Sequence, residues 1–85
     1  MSGNTAKTVI VQYFALLKEE RGTGREELVT EAATVGVLFE DLRKRHNFSL
    51  DKARVRVAVN DKFQAWDAPL CQNDKVVFIP PVAGG

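Results

Sequence analysis

The run Lys75-Val76-Val77-Phe78-Ile79, stopped at once by Pro80-Pro81, constrains this chain more than any other feature. Nearly unbroken β-branched and aromatic residues read as a strand covered on both faces, which puts it in the middle of a sheet. The prolines end it, because neither offers an N–H to a ladder and each fixes its own φ. A central strand needs partners on both sides, and the rest of the sequence supplies four candidates.

Thr8-Val-Ile-Val-Gln-Tyr-Phe14 is β-branched and aromatic without Gly or Pro, and predicts a first strand. Ala15 to Arg21 switches to strong helix formers and stops at Gly22, a short helix closed by a residue that accepts positive φ. Glu26 to Glu31 predicts a second strand antiparallel to the first, with flanking charges that suit a sheet edge. Thr34 followed by Val35, Leu38, Phe39 and Leu42 gives a capping hydroxyl and then apolar residues at i, i+3, i+4 and i+7, the clearest helix in the chain. Arg43-Lys44-Arg45-His46 closes it, complementing the negative end of the helix dipole. Phe48 and Leu50 are expected to fold back onto the core. Arg54 to Val59 alternates polar and apolar, Asn60-Asp61 tolerates turn geometry, and Lys62 to Trp66 follows, so a hairpin is predicted.

The order is strand, short helix, strand, amphipathic helix, hairpin, strand. It predicts an α+β fold with one main helix packed across a mixed four- or five-stranded sheet. The ubiquitin-like β-grasp has this order, with its first and last strands adjacent and parallel in the centre. A ferredoxin-like fold needs a second full-length helix. Residues 1–7 form a polar extension, 8–79 the folded domain and 80–85 an extended tail.

A chain of 85 residues buries only roughly 60–65% of its unfolded surface, which leaves little interior for an active site of its own. Twelve Lys and Arg against eleven Asp and Glu make no field to hold a phosphate backbone or a membrane surface, so neither nucleic acid nor membrane is expected as a partner. A single cysteine excludes a disulfide framework and four-cysteine zinc sites. Without a signal-peptide core or an apolar run approaching roughly 18 residues, a cytoplasmic location is expected. His46 lies in a basic helix end with no local nucleophile to serve. Cys71 follows Pro69-Leu70 and reads as a small, semi-buried turn residue. Gly22-Thr23-Gly24 lacks the third glycine and the lysine of a phosphate loop. Phe63 and Trp66 are not interleaved with basic residues as a base-stacking platform requires. No bound cofactor or metal is expected.

The tail remains. Pro80-Pro81 favours an extended, semi-rigid path away from the sheet. Val82 and Ala83 are small, and Gly84 and Gly85 have no Cβ, so the tip can enter a channel that rejects bulkier residues. Its reactive group would be the α-carboxylate of Gly85, which is ionised at neutral pH and a poor electrophile until it is activated.

Val59-Asn60, Pro69-Leu70, Asp74, Val76 and Phe78-Ile79-Pro80-Pro81-Val82-Ala83-Gly84-Gly85 together resemble the small-subunit family of molybdopterin synthase, ubiquitin-like sulfur carriers. Tyr13-Phe14-Ala15 and Thr34-Val35-Gly36-Val37-Leu38 are similar as well, so the resemblance runs from Thr8 to Gly85. It implies that an E1-like adenylyltransferase uses ATP to adenylate Gly85. A sulfurtransferase or cysteine desulfurase then supplies the sulfur that makes a thiocarboxylate. The charged tail would enter the large synthase subunit and donate sulfur to precursor Z, in a heterotetramer of two small and two large subunits. The chain itself would be a co-substrate. Phe14 on the first strand, Phe63 on the hairpin and Ile79 align with apolar residues the family uses against its partners, and Pro80, Pro81, Val82 and Ala83 would lie along the partner's channel. Related carriers for thiamine or tRNA thiolation, a ubiquitin-like protein modifier and an inert interaction module stay open at this point.

Overall fold

A computed structural model describes residues 6–81. Strand β1 (Lys7–Tyr13) is followed by helix α1 (Ala15–Arg21), strand β2 (Arg25–Thr30) and helix α2 (Val35–His46). A single 3-10 turn (Lys52–Arg54) then leads into strands β3 (Arg56–Val59), β4 (Lys62–Gln64) and β5 (Lys75–Ile79). The five strands form one sheet in the order β2-β1-β5-β3-β4, with β1 and β5 parallel and every other pair antiparallel. The sheet is that of the β-grasp, with the last strand beside the first at its centre and β2 on an edge as its charges suggest.

Alternation decides which side chains face α2. Val9, Val11 and Tyr13 of β1, Val57 of β3, and Val76 and Phe78 of β5 are all essentially inaccessible, as are Val35, Leu38, Phe39 and Leu42 on the helix. Each such apolar side chain contributes about 1.5–3 kcal/mol on burial. Aromatic rings fill the middle: Phe39 meets Phe78 edge-on at 5.1 Å, and Trp66 stacks over Phe78 at 6.2 Å. Phe48 folds back as expected and meets Tyr13 at 5.9 Å.

The start of α2 is fixed by its cap and by the loop between β4 and β5. Thr34 accepts the Val37 N–H on its Oγ1 at 3.2 Å, while the N–H groups of Val35 and Gly36 donate to the carbonyls of Ala68 and Trp66. The loop comes so close that a Cβ on Gly36 would stand 2.7 Å from the Trp66 carbonyl oxygen, which is why glycine occupies that position. Asn60 and Asp61 both take positive φ, 51° and 73°, as a two-residue type I′ hairpin turn requires. The Asn60 side chain donates to Asp74 and accepts the Lys75 N–H, and the Asp74 carbonyl accepts the Ile10 N–H. That clasp seats β5 between its two neighbours, and it satisfies Asp74, which is otherwise buried.

The structure departs from the sequence expectations at several places. Strand β1 begins at Lys7 and ends at Tyr13, one residue earlier at each end than predicted, and β2 is likewise shifted one residue back. Strand β4 stops at Gln64, so Trp66 lies beyond the hairpin, half-buried against the core. Cys71 is exposed, because the Asp74 carboxylate, by accepting its backbone N–H, holds the turn at the surface. The largest correction concerns β5. Val76 and Phe78 are buried, but Val77 and Ile79 on the opposite face are only half-buried, because α2 covers one side of the sheet alone.

Candidate functional site

The open face and the end of β5 meet where the chain leaves the sheet. Ile79, Pro80 and Pro81 form a ridge with a groove on each side. One groove is walled by Phe14, Ala15, Leu16 and Leu50, the other by Ala53, Arg54, Arg56 and Phe63. Five large hydrophobic side chains are exposed among the described residues, and three of them, Phe14 (45%), Leu16 (40%) and Phe63 (61%), flank this ridge. Exposed apolar area concentrated around one feature marks an interaction surface.

Local backbone geometry puts these side chains outward. Tyr13 is the last inward-facing residue of β1; Phe14 is extended (φ −130°, ψ 154°) and caps α1, and Ala15 takes φ 51°. That left-handed conformation is costly for a residue with a Cβ. It turns the chain sharply into α1, so that Leu17 enters the core while Phe14 and Leu16 flank it at the surface. Phe63 is exposed because β4 is a three-residue edge strand, and the Arg56 guanidinium lies over its ring at 4.8 Å.

A polar network braces the Phe14 side from beneath. The Tyr13 hydroxyl donates to Glu26 Oε2 at 2.6 Å, and Arg21 grips both oxygens of the same carboxylate, Nε to Oε2 at 2.9 Å and Nη2 to Oε1 at 2.6 Å. Burial, reinforced by the bond to Glu26, pushes the Tyr13 phenol well above its usual range. The Arg21 hydrogen bonds hold the Glu26 carboxyl below the usual carboxylate range. His46, packed against Phe48 at 5.8 Å, is held below the ordinary imidazole value by burial and then by the Arg21 charge. The C-terminal end of α1 is thus tied to the sheet: Gly22, in a left-handed conformation, closes the helix and Arg21 fastens it to β2.

Of the residues singled out in the sequence, Phe14, Phe63, Ile79, Pro80 and Pro81 come together here. Phe14 does so from the cap of α1 and not from the first strand. Pro80 is buried and Pro81 exposed. Val82, Ala83, Gly84 and Gly85 lie outside the described residues. Sequence reasoning missed Leu16, Leu50, Arg54 and Arg56. For Arg56 the signal was present, since alternation with Val55 and Val57 puts it on the face away from the helix. The same alternation includes Arg54, although the structure places it in the 3-10 turn; for Leu16 and Leu50 there was no signal, because a two-turn helix and a loop show no periodicity that could assign a face. His46 and Cys71 line neither groove.

Comparison with known proteins agrees with this fold. The ThiS family matches residues 11–85. The chain belongs to that family. Among its relatives, the molybdopterin synthase sulfur carrier subunit of Escherichia coli (strain K12) is 32% identical over 78 residues, covering 88% of this chain and 96% of that one. The subunit of the same name from Mycobacterium tuberculosis is 38% identical over 80 residues, covering 91% and 96%. Among solved structures, a complex of subunits 1 and 2 of the molybdopterin-converting factor from Helicobacter pylori contains a chain with TM-score 0.62 and 25% identity, covering 92% of this chain and 99% of that one.

Proposed function

We propose that this ThiS-family chain is the sulfur-carrying small subunit of a molybdopterin synthase. In this reading the Gly85 α-carboxylate attacks ATP on an E1-like adenylyltransferase, releasing pyrophosphate and forming an acyl-adenylate. A persulfide on a sulfurtransferase or cysteine desulfurase attacks the acyl carbon through its terminal sulfur and displaces AMP, and a thiol then reduces the resulting acyl disulfide, releasing the thiocarboxylate and leaving a disulfide on the donor. The tail then enters the large subunit, which uses that sulfur to build the dithiolene from precursor Z. Catalytic groups and the nucleotide site belong to the partners. This chain contributes a consumable tail and a surface that seats it. A cytoplasmic setting follows from the soluble partners and ATP that the cycle needs.

The observation that carries the reading is the ridge. The chain leaves the central strand through two prolines with exposed apolar side chains on either side, an arrangement that gains nothing for the isolated fold and suits a partner that receives the tail. Relatives named sulfur carrier subunits support the choice of chemistry. The test is mass spectrometry of the chain after incubation with ATP, a cognate activating enzyme and a sulfur source. One oxygen replaced by sulfur at Gly85 is the expected result, and deleting Gly85 should abolish it without altering the circular dichroism spectrum. An unmodified terminus under conditions that load another carrier overturns the reading. Accumulation of conjugates on protein lysines instead of a thiocarboxylate replaces it with a protein modifier.

A further inference from the structure

The two grooves beside the ridge differ in charge. The Phe14 groove is wholly apolar, whereas the Phe63 groove carries Arg54 and Arg56. Cross-strand register explains the placement: Arg56 pairs with Ile79 between β3 and β5, so the two side chains share the open face. The ion pairs among the described residues are Arg21–Glu26, Arg43–Glu40 and Lys75–Asp61, so neither groove arginine has a carboxylate of another described residue within 4.0 Å. Arg56 is held in place over Phe63 by a cation–π contact instead.

Water solvates these guanidinium groups in the free chain. A partner that covers Phe63 and Ile79 must remove part of that water, and an uncompensated buried cation opposes binding. A chain with a net charge of only +1 has no long-range field that would favour an acidic partner in general, so the discrimination has to be local. We infer that the Phe63 groove receives an acidic and apolar segment of the large subunit, with at least one carboxylate paired to Arg54 and Arg56 and an apolar side chain against Phe63 and Ile79. The groove is continuous with the ridge from which the tail departs, so the same partner reaches both. This assignment rests on the reading of the chain as a synthase small subunit and adds the chemistry by which the large subunit is recognised.

The test measures affinity between the full-length chain and the large subunit at low and at high salt, for wild type, Arg54→Glu/Arg56→Glu, Arg54→Lys/Arg56→Lys and Phe14→Asp. Wild-type affinity should fall by about tenfold from low to high salt as the paired charges are screened. The double glutamate variant should bind about thirtyfold more weakly at low salt, with the gap narrowing at high salt, while the double lysine variant keeps the salt dependence. Phe14→Asp should lose affinity at both salt concentrations. Wild-type binding matched by the double glutamate variant within twofold overturns the inference and leaves the proposed function standing. A deficit of that variant confined to adenylation, with large-subunit affinity intact, also overturns it by assigning the arginines to the activating enzyme. Failure of the wild type to bind the large subunit at any salt overturns the underlying reading together with the inference.

Discussion

Phe78 and Phe63 lie two strands apart in one sheet and meet opposite surroundings. Phe78 is fully buried and touches Phe39 and Trp66, whereas Phe63 is 61% exposed and has an arginine on its ring. The first belongs to the face that α2 covers, the second to the face that it leaves open. The difference teaches where a small chain keeps its stability and where it keeps its binding energy. One helix is enough to close one side of five strands. The side left over is free to be shaped for a partner.

The largest expected effect breaks this division or confirms it. Phe78→Ala removes a ring from the centre of the aromatic cluster and should cost about 3–5 kcal/mol. That is a large share of the roughly 5–15 kcal/mol that holds a domain together. Phe63→Ala should cost less than about 0.5 kcal/mol in stability, yet weaken large-subunit binding. Thermal melts of both variants, with affinity measured in parallel, decide the matter. Similar destabilisation by the two substitutions would show that the open face is part of the core and would undo the comparison.

The same division explains what the sequence revealed and what it hid. Elements with a period were legible: β1 and β5 from their β-branched runs, α2 from Val35, Leu38, Phe39 and Leu42, and the hairpin from Asn60-Asp61. Their order predicted the sheet, and the residue string from Phe78 to Gly85 pointed to the family. What misled was β5. An apolar run reads the same whether its second face is covered by its own chain or awaits another, so the strand looked covered on both faces when Val77 and Ile79 are half-open, and only the resemblance set Ile79 against a partner. Phe14 was misplaced because alternation continues through it on paper, and the turn at Ala15 comes from a backbone angle that no composition announces. The Tyr13–Glu26–Arg21 network joins three elements, and nothing in the spacing of those residues says that they meet.

That network lies between the closed and open regions, and acid should loosen it in stages. His46 is held below its ordinary value, so the fold favours the neutral ring: its contribution is complete above about pH 6.5 and is lost as pH falls through its lower folded value. Glu26 is also held low, so its contribution is complete above about pH 4.3 and is lost as pH falls further. The melting temperature should therefore decline modestly below about pH 6.5 and more steeply below about pH 4.3. His46→Gln should flatten the first stage and Glu26→Gln the second. A His46→Gln profile parallel to wild type across the upper window would remove the histidine from the account. Because the network ties α1 to the sheet, large-subunit affinity measured in the same buffers should fall with the second stage more than with the first.

The smallest effect asks the comparison to predict a sign. Within an ordinary helix, Ala→Gly costs about 1 kcal/mol. At Ala15 the backbone is left-handed, with φ 51°, and that conformation costs a residue bearing a Cβ roughly 1–2 kcal/mol. Ala15→Gly removes that strain but gives the unfolded chain more freedom, which offsets roughly 0.5–1 kcal/mol of the gain. The net expectation is a rise of about 0.5 kcal/mol in folding stability, read from denaturant midpoints at unchanged slope. Binding should move the other way. A glycine between Phe14 and Leu16 no longer holds the two side chains in one relative orientation, so affinity for the large subunit should drop by about two- to fivefold as ordering is deferred to the complex. A variant that loses about 1 kcal/mol of stability, as in a common helix, would show that the turn is relaxed. Strain at Ala15 would then have no part in holding Phe14 and Leu16 toward the partner.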